Sequence, residues 1–170
     1  QFVELPSLLS LAAARDSGAT GHFANLLAQH LRGMGFDFSF GPSLELAPTL
    51  HGAKPTIYTF GSSPTFAAET GETIIKALLA ADVVPVPTGF PGGGANRKGK
   101  EPAILVATPE EIGVRDLVPY AEAISRGLTS FAPSTAAGTA WSGVPGSVVR
   151  GQHRMPICFA TSTIFWAPTQ

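Results

Sequence analysis

Hydrophobic periodicity in this chain switches repeatedly between the helical and the extended repeat, and few folds accommodate that switching. Residues 19–34 put Phe23, Leu26, Leu27, His30, Leu31 and Met34 at helical spacing, with Gly33 and Gly35 as end signals. Phe36-Asp37-Phe38-Ser39-Phe40 then alternates strictly, as a strand does, and Gly41-Pro42 interrupts it. Residues 64–81 predict a second helix, with Pro64 in the first turn and Phe66, Ile74, Ile75, Leu78 and Leu79 as its core stripe. Residues 83–87 follow as a strand. A third helix is expected over 115–126, carrying Leu117, Val118, Tyr120, Ala121 and Ile124 and capped by Gly127. Residues 128–132 and 157–161 predict two more strands, with a short helical turn at 148–150. The stretches 92–108 and 134–147 are expected to be loops. Helices and strands in this alternation imply an α/β fold of (β/α) units around a parallel sheet of about four strands.

Composition narrows the class further. With 170 residues, 44% hydrophobic content and a net charge of −1, the chain has enough apolar material for a core and is expected to fold as one soluble domain over 1–170. Apart from Arg97, Lys98 and Lys100, the basic residues are scattered, so no stripe exists to follow a phosphate backbone and nucleic acid is not an expected partner. The lone Cys158 sits in the apolar run Ile157-Cys158-Phe159, where a buried thiol is the natural reading. No stretch reaches the roughly 18 uninterrupted apolar residues of a membrane helix. The chain opens on Gln1 and runs at once into Leu5-Pro6-Ser7-Leu8-Leu9, so a leader or a larger part of the fold is expected upstream. The compartment stays open.

The segment Thr88-Gly89-Phe90-Pro91-Gly92-Gly93-Gly94 closes the strand at 83–87, where an α/β enzyme carries its working residues. It holds no side chain able to bind charge or move a proton. The triple glycine lacks the GK[ST] ending of a phosphate loop and opens no G-x-G-x-x-G helix, so no nucleotide cofactor is expected. His22, His30, His51 and His153 are widely spaced, and none has a second His or Cys at ligand spacing, so no metal site is expected. His30 lies on the apolar stripe of its helix and is expected to be a satisfied, partly buried group. Ser162, His153 and Asp116 form no hydrolase triad by sequence, since no nucleophile elbow surrounds the serine.

Several ordered fragments carry a family resemblance. Leu31-Arg32-Gly33-Met34-Gly35-Phe36-Asp37-Phe38-Ser39-Phe40-Gly41-Pro42-Ser43-Leu44-Glu45-Leu46, Phe60-Gly61, Phe90-Pro91-Gly92-Gly93-Gly94, Asp116-Leu117-Val118-Pro119-Tyr120 and Ile124-Ser125-Arg126-Gly127-Leu128 follow one another at matching intervals. From about residue 20 to 165 the chain resembles the N-terminal barrel domain of glycoside hydrolase family 3, closest to the bacterial β-N-acetylhexosaminidases. The resemblance implies a TIM barrel, here partial or degenerate. A full barrel takes about 250 residues. An open parallel sheet leaves edges and a face to be covered by another chain or by further sequence.

The resemblance also implies which positions would bind sugar. The family's Lys-His-Phe-Pro-Gly-His-Gly loop falls on Thr88, Gly89 and Gly93 at its Lys, first His and second His. Its sugar-binding Arg falls on Tyr58, ahead of Thr59-Phe60-Gly61. The nucleophilic Asp corresponds to Ser162 in Thr161-Ser162-Thr163, and no Asp-x-His pair follows the loop, where Glu101 is the carboxylate between residues 95 and 108. Retaining glycosidases need a nucleophilic carboxylate and an acid about 5 Å apart. Glu45 falls on an acidic position of the family's Pro-x-Leu-Asp, and Glu45 and Glu101 are the candidate ligand contacts. The expectation is a catalytically inactive relative, without catalytic residues or cofactor, working as a structural or accessory subunit with a protein partner or further copies of itself. The alternative is a glycosidase or carbohydrate-binding domain using Glu45 and Glu101.

Overall fold

The computed structural model describes residues 4–48, 55–90, 104–105, 109–128, 130–133, 137–138 and 158–159. Its elements in chain order are α1 (Leu8–Ala14), α2 (Ser17–Gly33), β1 (Phe38–Ser43), α3 (Pro64–Ala80), β2 (Val84–Phe90), β3 (Ile104–Leu105), α4 (Pro109–Glu111), a π-helical turn (Ile112–Asp116), α5 (Val118–Ser125), β4 (Ser130–Pro133), β5 (Ala137–Gly138) and β6 (Cys158–Phe159). Each of the first three helices starts on a side-chain cap. Ser7 accepts from the Ser10 amide, Asp16 from the Gly18 and Ala19 amides, and Ser63 from the Phe66 amide, satisfying donors that a helix start leaves open. Pro64 stands in the first turn of α3, where its missing N–H is harmless.

The corners from helix to strand share one construction. At the ends of α2, α3 and α5 a residue with positive φ, Gly35 (83°), Asp82 (56°) or Gly127 (98°), turns the chain. The amide of the next residue then donates five positions back: Phe36 to the Leu31 carbonyl at 3.0 Å, Val83 to Leu78 at 2.9 Å, Leu128 to Ala123 at 3.0 Å. This is the Schellman arrangement, and it feeds each chain into β1, β2 or β4.

β1, β2 and β4 lie side by side in parallel, as the alternating periodicity predicts, with Phe38 opposite Val84 and Thr88 opposite Ala132. β6 departs from that expectation: it pairs antiparallel with β4, Phe131 against Cys158. A short apolar run reads the same in both directions, so periodicity carries no information about its polarity. The stretches expected as loops also supply strands, since Ile104–Leu105 pairs with Ala137–Gly138 in a second, two-stranded parallel sheet. Two-residue strands lie below the length at which alternation can be seen.

The third helix is broken more than its apolar stripe suggested. Pro119 cannot donate to the carbonyl four residues earlier, and the chain reaches it through a π turn in which the Leu117 amide bonds to the Ile112 carbonyl at 2.9 Å. α2 packs on α3 and α3 on α5. Their buried side chains meet Leu44, Leu46, Phe60, Val83 and Leu128 in one core, with Phe23, Ala24 and Ala28 from α2, Ala67, Ile74, Ile75 and Leu78 from α3, and Tyr120 and Ala123 from α5. Full burial of a Leu, Ile or Phe side chain is worth about 1.5–3 kcal/mol, so this helix-covered side of the sheet carries the fold. Leu79 and Met34, both expected on apolar stripes, are instead 51% and 47% exposed.

The opposite sheet face is open in part. Register partners on parallel strands point to the same side, so Phe38 and Val84 share a face, and Phe40 joins them two residues on. All three are about half exposed, and the Phe38 and Phe40 rings meet edge to face at 5.6 Å.

Candidate functional site

In (β/α) folds the segments leaving the C-terminal ends of the strands carry function. Here the rim is built by the segment after β1 and by the end of β2. Leu44 and Leu46 are buried, which directs the intervening Glu45 away from the core. The Leu44 amide donates to the Thr88 carbonyl at 3.2 Å and so extends the β1–β2 pairing one step beyond Ser43. The Tyr120 hydroxyl donates to the same carbonyl at 2.8 Å. Tyr120 is almost wholly buried, with Phe90 edge-on at 5.3 Å. Burial, then the negative charges of Glu45 and Asp116, push its phenol well above the usual range, so it stays a neutral donor.

Gly89 and Glu45 interlock. Gly89 has φ +93°, and a Cβ added there would lie 2.1 Å from Glu45 Cγ, 2.6 Å from Oε1 and 2.7 Å from Cδ. The side chain of Glu45 therefore occupies the space that any larger residue at position 89 would need. Backbone conformation and packing both select glycine.

Behind this rim lies a second tie. Arg115 Nη1 donates to both Asp116 carboxylate oxygens at 3.1 and 3.2 Å, while Nη2 donates to the Ala47 carbonyl. The Ala47 amide in turn bonds the Gly61 carbonyl at 2.8 Å. Burial raises the Asp116 carboxyl above its ordinary range, against the lowering effect of Arg115. Tyr58 lies three residues before Gly61 and is 64% exposed, while its neighbours Thr59 and Phe60 are buried and anchor the segment.

Glu45, Thr88 and Gly89 thus converge at one rim, and the Ala47–Gly61 bond ties to it the segment that presents Tyr58. Gly93, Glu101 and Ser162 lie outside the described residues, as do His51, His153 and the basic residues Arg97, Lys98 and Lys100. His30 is partly buried and its Nδ1 sits 2.6 Å from the Leu26 carbonyl one turn earlier, a local helix contact in keeping with the expectation of a satisfied group. Among the described residues no group of three or more His, Cys, Asp or Glu is placed to hold a metal ion, and no helix is long and apolar enough to cross a membrane. A cavity of about 170 Å³ lies between α3 and α5, lined in part by Glu69, Glu72, Glu122 and Arg126. Sequence reasoning missed Arg115 and the hydroxyl of Tyr120. The fragment Asp116-Leu117-Val118-Pro119-Tyr120 was the signal for the second, and nothing in the sequence marked the first.

The sequence model described as the glycosyl hydrolase family 3 N terminal domain matches residues 2–151. The chain belongs to that family. The match takes in Glu45, Tyr58, Thr88, Gly89, Gly93 and Glu101 and ends before Ser162. A β-hexosaminidase of Thioalkalivibrio sulfidiphilus is 31% identical over 113 residues, 64% of this chain and 31% of that protein. One of Nitrosospira multiformis is 29% identical over 143 residues, covering 78% and 40%. Among solved structures, NagZ of Neisseria gonorrhoeae in complex with N-trifluoroacetyl-D-glucosamine superimposes with a TM-score of 0.71 at 22% identity, over 83% of this chain and 44% of its own. A family 3 β-N-acetylglucosaminidase of Paenibacillus gives 0.71 at 22% identity, over 81% and 27%. The fold is thus that of a partial TIM-barrel-like family 3 domain, and the chain spans less than half the length of each of these relatives.

Proposed function

We propose that this family 3 domain does not carry out retaining glycoside hydrolysis and serves as a structural or accessory part of a larger assembly. The observation that carries the reading is the interlock of Gly89 with Glu45. By resemblance, Gly89 stands where the family has its first loop histidine, and here the room for such a side chain is filled by the carboxylate arm of Glu45. Double displacement needs two carboxyl groups about 5 Å apart, one of them a nucleophile. Among the described residues at this rim Glu45 supplies a carboxylate, whereas Asp116 is buried and held by Arg115. The half-exposed face of Phe38, Phe40 and Val84 supports the accessory role, because a contiguous apolar surface favours coverage by a partner or by further chain.

The test is release of a chromogenic aglycone from aryl β-N-acetylglucosaminides and β-glucosides by the full protein. The expected result is no release above the buffer rate. Turnover abolished by Glu45→Gln or Glu101→Gln would overturn the proposal.

A second reading, a carbohydrate-binding domain or glycosidase using non-standard residues, is favoured by one observation. Glu45 is only partly buried at the strand-end rim, where a carboxylate is a good acceptor for sugar hydroxyls. Binding of N-acetylglucosamine measured by calorimetry, and its loss in Glu45→Gln, distinguishes this reading from the first.

A further inference from the structure

We infer that Arg115 is a positioning residue for the rim, setting the place of Glu45 through the backbone of the segment that carries it. Among the described residues, Leu44 and Ala47 tie the segment 44–47, as it leaves β1, to other parts of the fold through backbone groups. Leu44 N–H bonds the Thr88 carbonyl, Ala47 N–H bonds the Gly61 carbonyl, and the Ala47 carbonyl accepts from Arg115 Nη2. The first two belong to the sheet edge and to the neighbouring loop. The third comes from the π turn before α5, a different layer of the molecule, and it is made by a side chain.

That side chain is itself restrained. Arg115 is 23% exposed at its side chain and Asp116 8%, and Nη1 sits on both oxygens of the Asp116 carboxylate. The guanidinium is planar, so fixing Nη1 on the carboxylate also fixes the direction in which Nη2 points. Asp116 therefore aims Arg115, and Arg115 holds Ala47 two residues beyond Glu45. The interlock at Gly89 leaves little tolerance, because Glu45 Cγ lies 2.1 Å from where a Cβ of residue 89 would be. A small shift of the backbone at 45–47 moves the carboxylate arm off Gly89. Lysine keeps the charge but has no fork with which to hold a carboxylate and a carbonyl in one plane.

The placement matters for ligand contact only if Glu45 binds sugar, as in the second reading above, but it is measured on the free protein and stands or falls without any sugar. Hydrogen exchange and carbon-13 spectra of the full chain are compared for wild type, Arg115→Lys and Arg115→Ala. Amides of Leu44 and Ala47 should exchange about tenfold faster or more in Arg115→Ala while those of α3, which report global opening, stay within about twofold. The Glu45 carboxyl carbon and the Gly89 amide should shift with them, and Arg115→Lys should return both signals part of the way. If Arg115→Ala fails to fold, Arg115→Lys against wild type carries the test, with the same changes expected at smaller size. Unmoved Glu45 and Gly89 signals in a folded variant would overturn the inference, as would acceleration spread equally over 44–47 and α3.

Discussion

Gly89 and Glu45 are coupled through space that only one of them can fill. A β-carbon at position 89 would meet a carboxylate arm at 2.1 Å and would also have to adopt φ +93°. Gly89→Ala is therefore expected to destabilise the fold by about 2–4 kcal/mol, combining the cost of a left-handed conformation with overpacking. Glu45→Ala removes the second part but not the first. The double variant should thus recover at least about 1 kcal/mol relative to the sum of the single changes, read from urea unfolding midpoints. Additive effects would mean that Glu45 swings aside freely and that its arm does not define the site. The sequence made part of this rim legible: the family fragments located Glu45, Tyr58, Thr88 and Gly89 as positions of interest. It did not reveal that Glu45 and Gly89, 44 positions apart in the chain, fill each other's space, because no local pattern encodes such a contact.

At the scale of elements, the shared corner construction explains why three helices could be read from sequence. Periodicity plus a terminal glycine locates α2 and α5 well, and the same corner after α3 uses Asp82 at φ 56° in place of glycine. Gly127→Ala should cost about 1 kcal/mol in thermal or urea unfolding, since alanine tolerates positive φ poorly. A neutral result would show that the corner can relax. What the pattern could not supply was the π turn ahead of Pro119, the two-residue strands and the direction of β6, features set by pairing partners rather than by repeat.

Helices α3 and α5 are also joined by charge. Glu72 of α3 pairs with Lys76 one turn on, at 2.5 Å, and with Arg126 at the end of α5, which also lies 3.4 Å from Glu122. Arg126 first, then Lys76, lowers the Glu72 carboxyl from 4.5 to about 2. A depressed folded value means that the stabilisation is present above about pH 4.5 and is lost as pH falls towards 2. Glu72→Gln should accordingly flatten the loss of stability across that window and leave the profile at neutral pH shifted but parallel. Its size is limited by water, because Lys76 and Arg126 remain 70% and 50% exposed at their side chains. Asp116 works in the opposite direction, its raised carboxyl favouring the fold at lower pH. An unchanged acid profile in Glu72→Gln would assign acid sensitivity to other carboxylates.

At the scale of the whole molecule, the asymmetry of the sheet stands out among the described residues. One face lies under α2, α3 and α5, while on the other Phe38, Phe40 and Val84 stand 55%, 55% and 49% exposed, with Phe36 at 50% on the approach to β1. The alternation at 36–40 was legible as a strand, but alternation says only that two faces differ; the half-exposed Val84 accords with the expectation that an open sheet leaves a face to be covered by another chain or by further sequence. Apolar surface in such a run is worth about 25 cal/mol per Å² when it leaves water, so covering it, by a partner or by further chain, is favourable. β1 adds to this as an end strand of the described sheet, with one side unpaired there. Sedimentation of the chain over a range of concentrations should show self-association, or retention of a co-purifying protein, and Phe38→Ser with Phe40→Ser should weaken it at least about tenfold. The same double change should leave the melting temperature nearly unaltered, because side chains already half exposed contribute little to the helix-covered core. A wild-type chain that sediments as a monomer at every concentration would remove the apolar face as support for an accessory role and leave the Gly89–Glu45 interlock to carry that reading alone.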